Sequence, residues 1–175
     1  LAEYGLTATV LSLDYARALS EKAAEQGVKV PCHIALDTGM NRIGISACAD
    51  EEVAAAVRDI ETVCELDALS VEGLFTHLAK ADEGVTEMTD EGSLTLRQYR
   101  RYAAVLNALT ERGKRPRICH VCNSAAAVRF PDYIPEGCLD AVRLGISLYG
   151  YGVDAPDGTP VASSPVMRLC TSVVH

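Results

Sequence analysis

Arg143, Gly145 and Ile146 form the segment of this chain most suggestive of chemistry. Arg143 interrupts an apolar run, and burying a guanidinium is costly unless a fixed partner receives its charge. Gly145, with Ile146 beside it, has no side chain to obstruct a ligand phosphate that approaches the backbone. Structure alone explains such an arginine poorly, so Arg143 is the strongest functional candidate.

Arg42 and His77 are weaker candidates. His77 follows an apolar segment, and a lone histidine is more often a hydrogen-bonded core residue than a catalyst. Arg42 lies in the loop 37–44, whose simplest interpretation is an ordinary turn in which Asp37 accepts hydrogen bonds from loop amides. Both side chains fall just after predicted strands, which keeps them under consideration.

Asn123 and Ser124 begin a short predicted helix, and the free N–H groups at a helix start suit a phosphate. Simple capping explains the same pair equally well. The nearby segment 119–122 (CHVC) does not indicate zinc, because a second pair of ligands with similar spacing is missing from the sequence. A redox pair stays open, but buried strand cysteines explain the segment better. We therefore predict no metal site.

Strands that alternate with helices must position these residues. The predicted strands cover residues 6–12, 30–37, 69–76, 117–122 and 141–149. Ser12 and Asp50 are predicted helix caps, and Gly27 and Gly113 are predicted to follow helix ends. The alternation predicts an α/β fold with parallel strands, either a doubly wound sheet or part of a (β/α)8 barrel. A complete barrel takes about 250 residues, so these five units would be part of one.

Charge and hydropathy exclude some partners. The net charge of −8 disfavours nucleic acids and anionic membranes, and no apolar run approaches the roughly 20 residues that span a bilayer. Seven cysteines, an odd number without framework spacing, fit a reducing cytosol.

Residues 150–164 read as a linker and 166–174 as a further strand. Both ends look cut from something longer, with one domain over 1–150 and the start of another over 151–175.

Four motifs resemble the alanine racemase family in order and spacing: HIALDTGMNRIG (33–44), GLFTHLAKAD (73–82), HVCNSAAAVRFP (120–131) and VRLGISLYG (142–150). The resemblance implies the last five βα units of a TIM barrel that binds pyridoxal 5'-phosphate (PLP), then the first strand of a C-terminal β domain. It also implies a cytoplasmic homodimer that interconverts L- and D-alanine through PLP by a two-base mechanism. D-Alanine would supply peptidoglycan.

The resemblance also implies roles for the three charged candidates. Arg143 matches the arginine that faces the PLP pyridine nitrogen, to which a guanidinium can donate a hydrogen bond without giving up its proton. His77 matches the histidine that bonds this arginine and the catalytic tyrosine of the partner subunit. Arg42 matches the arginine near the PLP phenolic oxygen and the substrate carboxylate.

The phosphate of PLP is expected at Ser124, Gly145 and Ile146, which match the family's phosphate-holding positions. Asn123 matches a neighbouring position that we interpret as structural support. The two bases, a lysine and a tyrosine, match no residue here and would lie outside the chain. Ala35 occupies a position that is commonly a carbamylated lysine, which removes the usual support of Arg42.

Three alternatives accompany this hypothesis. A serine racemase or a racemase of broad specificity would share these motifs. A PLP-binding relative that carries or regulates the cofactor without catalysis belongs to a different class. An unrelated barrel enzyme is disfavoured by four collinear motifs.

Overall fold

The computed structural model describes residues 1–83, 85–134, 140–155, 157–166, 168 and 170–172. The strands are β1 (Ala8–Val10), β2 (Val30–Asp37), β3 (Ile45–Ser46), β4 (Leu69–Phe75) and β5 (Ile118–His120). The α-helices are α1 (Leu13–Glu25), α2 (Val53–Cys64), α3 (Leu94–Glu111) and α4 (Ser124–Arg129). Short 3₁₀ turns include Asp50–Glu52 and Ile146–Tyr149.

The sheet is parallel, with the strand order β1-β2-β4-β5, and β3 pairs with the end of β2. Helices α1, α2 and α3 connect successive members of that order, as expected for consecutive units of a barrel wall. The architecture confirms the predicted α/β class and the partial barrel. All four strands of that order run the same way, so their carboxyl ends lie at one rim.

The two faces of the sheet differ in character. Cys32, Ile34 and Leu74 point to one face and are inaccessible to solvent. Tyr102 of α3 is also fully buried, and its hydroxyl donates to the Leu74 carbonyl at 3.0 Å. The opposite face carries His33, which pairs with Thr9 of β1 and Gly73 of β4 and whose ring lies near that of His120. The helices therefore cover an apolar outer face, and chemistry is left to the inner one.

Local capping follows the sequence in most places. The Ser12 hydroxyl accepts from the Tyr15 amide at 3.2 Å to cap α1, and Gly27 and Gly113 take φ values of 64° and 67° just past helix ends. Asp50 is not a cap, contrary to the prediction. Its carboxylate instead accepts from Arg101 Nε at 2.8 Å, across to α3.

The predicted fifth strand, 141–149, is wrong. The Arg143 amide donates to the Cys122 carbonyl at 3.0 Å, but Gly145 takes φ −118° and ψ −102°, and a 3₁₀ turn follows. The Ser124 hydroxyl accepts from the amides of Gly145 and Ser147 at 3.0 and 3.5 Å. These local bonds replace the regular ladder that a strand requires.

The predicted strand at 166–174 is also not seen. Residues 166, 168 and 170–172, which are the described part of this segment, are not in a strand, and the rest lies outside the described residues. The Val166 amide donates to the Tyr149 carbonyl at 3.1 Å. Within the described part of the chain, no helix is long and apolar enough to cross a bilayer.

Candidate functional site

The predicted site residues surround two cavities at the carboxyl rim of the sheet. The first has a volume of about 490 Å³ and is lined by His77, Asn123, Ser124, Arg143, Gly145 and Ile146, among others. The second, of about 370 Å³, is lined by Arg42 and Ala35. His77, Arg143 and Gly145 line both. The fold therefore brings together all seven candidates from four separate motifs.

Arg143 is held mainly by main-chain oxygens. Its Nη1 donates to Nδ1 and the carbonyl of His120, at 2.6 and 3.1 Å. Its Nη2 donates to the carbonyls of Thr76 and Val121, at 2.6 and 3.2 Å. The guanidinium carbon lies 5.0 Å from the Phe75 ring centroid. These bonds occupy both terminal nitrogens and leave the Nε–H without a partner among the described residues.

The histidine that contacts Arg143 is His120, where the family resemblance implied His77. The structure gives His77 no hydrogen bond to Arg143 within the described residues. His77 is half-buried, and burial, then Arg143 and Arg42, lower its pKa. Burial, followed by Arg143 and His33, lowers the pKa of His120 to about 4. Sequence reasoning overlooked His120, although it begins the motif at 120–131.

Asp37 organises the loop that carries Arg42. Its Oδ1 accepts from the amides of Gly39 and Asn41, each at 3.0 Å, and its Oδ2 accepts from the Arg42 amide at 2.9 Å. Burial would raise the pKa of this carboxyl, but the three amides and the Cys48 thiol lower it overall. The turn interpretation of Asp37 is therefore confirmed.

Gly44 closes the loop against β2. It takes φ 126°, and a Cβ there would stand 2.7 Å from the Asp37 amide nitrogen and 2.9 Å from the Ala35 carbonyl oxygen. No side chain fits this approach. The Arg42 amide is thus held by the Asp37 carboxylate at the end of β2, and two residues later Gly44 lies directly against the backbone of β2.

The Arg42 guanidinium, in contrast, is exposed and has no hydrogen-bond partner among the described residues. It lines the second cavity beside the buried methyl group of Ala35. The described residues that line this cavity include Arg143 as well but no carboxylate. The arrangement concentrates positive charge and suits an anion.

Asn123 and Ser124 have separate tasks. The Asn123 Oδ1 caps α4 by accepting from the Ala126 amide at 2.9 Å, and its Nδ2 donates to the Leu78 carbonyl at 3.3 Å. Asn123 is fully engaged in support. Ser124, bonded to the amide of Gly145, forms a continuous wall of the first cavity with it.

Gln98 of α3 joins the ends of β2 and β4, and sequence reasoning did not select it. Its Oε1 accepts from the Ala79 amide at 2.8 Å, and its Nε2 donates to the His77 carbonyl at 3.0 Å and to Thr38 Oγ1 at 3.3 Å. Thr38 and Thr76 share a hydrogen bond of 2.8 Å. The side chain is fully buried, so it fixes the backbone of both site loops.

The segment 119–122 places two cysteines in the interior of the fold. Cys119 and Cys122 are both buried, as predicted, but only Cys119 is in a strand, because β5 ends at His120. No group of three or more His, Cys, Asp or Glu side chains within the described residues could hold a metal ion. The first cavity is lined by Asp82 and Asp154 as well as by Arg129, Arg143 and His77.

Comparison with known proteins assigns the chain to a family. The family model described as "Alanine racemase, N-terminal domain" matches residues 1–153. This chain belongs to that family. The alanine racemase of Desulforamulus reducens is 39% identical over 174 residues, which are 99% of this chain and 43% of that protein. Alanine racemase 1 of Clostridium acetobutylicum is 34% identical and is matched over 100% of this chain and 42% of its own length. The chain thus spans less than half the length of these relatives.

Solved structures that resemble this chain include alanine racemases. The alanine racemase of Clostridium difficile 630 in complex with cycloserine has a TM-score of 0.72 at 35% identity, over 86% of this chain and 37% of that one. The Bacillus anthracis enzyme with bound L-Ala-P has a TM-score of 0.69 at 30% identity, over 94% and 39%. A histidine racemase from Leuconostoc mesenteroides also matches, with a TM-score of 0.69 at 26% identity, over 94% and 40%.

Proposed function

We propose that this chain is the part of an alanine racemase that holds the ring nitrogen and phosphate of PLP. The observation that carries the proposal is the state of Arg143, whose terminal nitrogens are tied to His120, Thr76 and Val121 while the Nε–H has no partner in the described part of the chain. A cavity of about 490 Å³ adjoins it, within the usual range for ligand pockets, about 300–1,000 Å³.

The residues around this cavity fit PLP. Ser124, Gly145 and Ile146 would hold the phosphate along one wall, with Asn123 supporting the helix behind them. Arg143 would donate its Nε–H to the ring nitrogen. When bound, PLP supplies an electron sink for the electrons released on removal of the substrate Cα proton.

Arg143 would limit that sink. A guanidinium keeps its proton, so the ring nitrogen receives a hydrogen bond but no full positive charge. A fully protonated ring would favour transamination as a side reaction. Arg42, on the adjoining cavity, would face the phenolic oxygen and attract the substrate carboxylate.

His77 would meet the second catalytic group. We propose that its imidazole contacts the catalytic tyrosine of the partner subunit in a head-to-tail homodimer. The lowered pKa of His77, caused by burial and two nearby arginines, keeps the ring neutral at pH 7. A neutral ring can accept a hydrogen bond from the tyrosine hydroxyl or donate one to its oxygen.

The domain division follows the same proposal. Residues 1–150 would form the back of the PLP barrel, and 151–175 a linker and the start of the C-terminal β domain. The two bases, a lysine and a tyrosine, would come from the remainder of the enzyme. We place the protein in the cytoplasm, where D-alanine enters peptidoglycan synthesis.

The activity test uses the full-length protein with PLP and L-alanine, L-serine or L-histidine as substrate. We expect D-alanine to form fastest. Faster turnover of serine or histidine would replace alanine by another substrate, and PLP binding without turnover of any amino acid would indicate the non-catalytic class. Loss of both binding and turnover would refute the proposal.

A test of Arg143 itself compares the native enzyme with Arg143→Lys. An ammonium group keeps the positive charge but can lose its proton and cannot make the same set of bonds. We expect slower racemisation and a higher ratio of pyruvate to D-alanine in single-turnover products. An unchanged ratio would refute the electronic role and leave Arg143 as an anchor only.

A test of the phosphate wall compares Ser124→Ala with Ser147→Ala. The Ser124 hydroxyl organises the amides of Gly145 and Ser147, whereas Ser147 contributes only its amide to that contact. We expect PLP affinity to fall in the first variant and to stay near native in the second. Equal affinities in the two variants would contradict the placement of the phosphate.

A further inference from the structure

A histidine outside the proposed cofactor site reaches Arg143 through His120. His33 Nδ1 lies 3.1 Å from His120 Nε2, and the two ring centroids are 5.3 Å apart at an interplanar angle of 51°. Phe75 stacks on the other side of His120, with ring centroids 5.0 Å apart at 7°. The histidine ring next to Arg143 is therefore fixed on one face and at one edge.

The contact spans a whole strand. His33 is on β2 and His120 on β5, while β4 lies between them. Gly73 of β4 pairs with His33, and a Cβ on Gly73 would stand 2.5 Å from His33 Nδ1. Only glycine leaves the gap through which the His33 ring crosses β4.

The direction of the hydrogen bonds follows from Arg143. A guanidinium can only donate, so His120 Nδ1, 2.6 Å from Arg143 Nη1, must be an acceptor. A neutral His120 then carries its proton on Nε2 and donates to His33 Nδ1. His33 must in turn be neutral, with its own proton on Nε2. The hydrogen bonds therefore run in one direction only, with Arg143 donating to His120 and His120 donating to His33.

We propose that His33 is a positioning residue for Arg143, which it serves by fixing His120 in the tautomer that accepts from the guanidinium. Without His33, the donor at His120 Nε2 would lose its partner and the ring could turn or change tautomer. Arg143 Nη1 would then lose a strong bond, and the Nε–H would no longer be held in one direction. The inference rests on the proposed function for its catalytic consequence, but its structural content stands on the three side chains alone.

Charges around the pair favour the neutral rings. Burial and Arg117 lower the pKa of His33, against an opposing effect of Glu72. Burial, Arg143 and His33 lower the pKa of His120 to about 4, against Asp140. Because His120 binds a proton more weakly in the folded state, its contribution to stability is complete above the ordinary pKa of 6.5 and declines as the pH falls toward 4. The lowered pKa of His33 acts in the same direction.

The structural test observes the ring nitrogens directly. Long-range ¹H–¹⁵N spectra of this chain at pH 7.5 should give His120 a protonated Nε2 and an unprotonated Nδ1. We expect His33→Leu to leave a mixture of His120 tautomers. His33→Asn, whose carboxamide oxygen can stand near the former Nδ1, should restore the single tautomer. A protonated Nδ1 in the native chain, or an unchanged His120 in His33→Leu, would overturn the proposal.

The control for general loss of stability is Ile34→Val, which removes one buried methyl group on the opposite, helix-covered face of β2. It should leave the His120 tautomer unchanged. If His33→Leu does not fold, Gly73→Ala supplies a second route, since the added methyl must displace the His33 ring. A single native tautomer in a folded Gly73→Ala would count against the proposal.

The catalytic test uses the full-length enzyme. Loss of one hydrogen bond behind Arg143 should lower kcat in His33→Leu by roughly three- to tenfold, with KM for alanine little changed and the pyruvate ratio raised. His33→Asn should recover most of kcat, and Ile34→Val should match the native enzyme. A kcat for His33→Leu equal to that of His33→Asn would refute the positioning role. A native tautomer pattern in an enzyme that does not racemise alanine would refute the proposed function instead.

Discussion

The two arginines that line the second cavity are held in opposite ways. Arg143 is half-buried, and its terminal nitrogens contact three main-chain carbonyls and one imidazole. Arg42 is exposed; its main chain is fixed by Asp37, while its guanidinium has no partner in the described part of the chain. The fold therefore orients the Arg143 guanidinium through internal bonds, whereas the described residues do not fix the guanidinium of Arg42.

Because of this difference, the two side chains should contribute unequally to the stability of the fold. The acceptors around Arg143 are buried carbonyls, which lose their solvation in the folded state and need the guanidinium. Among the residues that the structure describes, no buried group is hydrogen-bonded to the side chain of Arg42. Replacing Arg143 should therefore lower the unfolding free energy much more than replacing Arg42. Either replacement removes one positive charge from the cavity.

The largest effect should come from Arg143→Met. The substitution leaves the carbonyls of Thr76, His120 and Val121 without this donor, and we expect a loss of roughly 2–4 kcal/mol of unfolding free energy. Urea denaturation of this chain, followed by circular dichroism, measures it. A loss below that of Arg42→Met would reverse the comparison.

A smaller loss is expected for Gln98→Glu. A carboxylate of the same shape can still accept from the Ala79 amide, but it cannot donate to the His77 carbonyl or to Thr38. We expect a loss of about 1–3 kcal/mol and faster exchange of the amide at Ala79, measured by hydrogen exchange. The control is Gln26→Glu at the exposed end of α1. An equally large loss of unfolding free energy in this variant would show that the added charge alone is responsible.

Asp37→Asn should cost less, roughly 1–2 kcal/mol, because two of the three loop amides keep an acceptor while the new NH₂ group faces the Arg42 amide. The native carboxyl has a pKa below its ordinary value of 3.8. It therefore stabilises the fold above pH 3.8, and the gain is lost as the pH falls through the folded-state pKa. Denaturation curves from pH 7 to 2 should converge for native and variant chains at the acid end. Asp14→Asn, at a side chain that is 97% exposed, should show no such convergence.

The smallest change in stability is expected for Arg42→Met, within about 0.5 kcal/mol, as for other exposed positions without buried partners. Under the proposed function, the same variant of the full-length protein should raise KM for alanine, since the cavity would lose a positive charge placed to attract the carboxylate. Thermal denaturation and steady-state kinetics together decide it. A marked drop in stability would mean that the guanidinium has a structural partner, and the contrast with Arg143 would then fail.

The parts of the fold that local sequence controls were predictable. The strand 30–37, the cap at Ser12 and the turn at Asp37 follow from patterns within a few residues, and each is confirmed. The segment 141–149 has the composition of a strand, yet the Ser124 hydroxyl accepts hydrogen bonds from the amides of Gly145 and Ser147. The chain forms a turn there instead of a strand. A contact over 21 residues overrides the local preference there.

The candidate site shows the same limit. Motifs selected Arg42, His77, Ser124 and Arg143, and the fold places all four around the two cavities. The bond from Arg143 to His120 depends on which side chains face inward on neighbouring strands, and the sequence does not show that. Gln98 lies within a helix, where a buried glutamine looks no different from an exposed one until the helix is docked.

Gln98 has a consequence for the order in which the molecule folds. Its bonds reach back 19, 21 and 60 residues along the chain, to Ala79, His77 and Thr38. Closing so long a loop has an entropic cost that local turns avoid. On a ribosome, the segments that carry Arg42 and His77 emerge well before α3, but they reach their final bonds only after that helix has been made and has packed. The loops that carry Arg42 and His77 thus reach their final arrangement only once α3 is in place, and under the proposed function PLP would be bound only after that step.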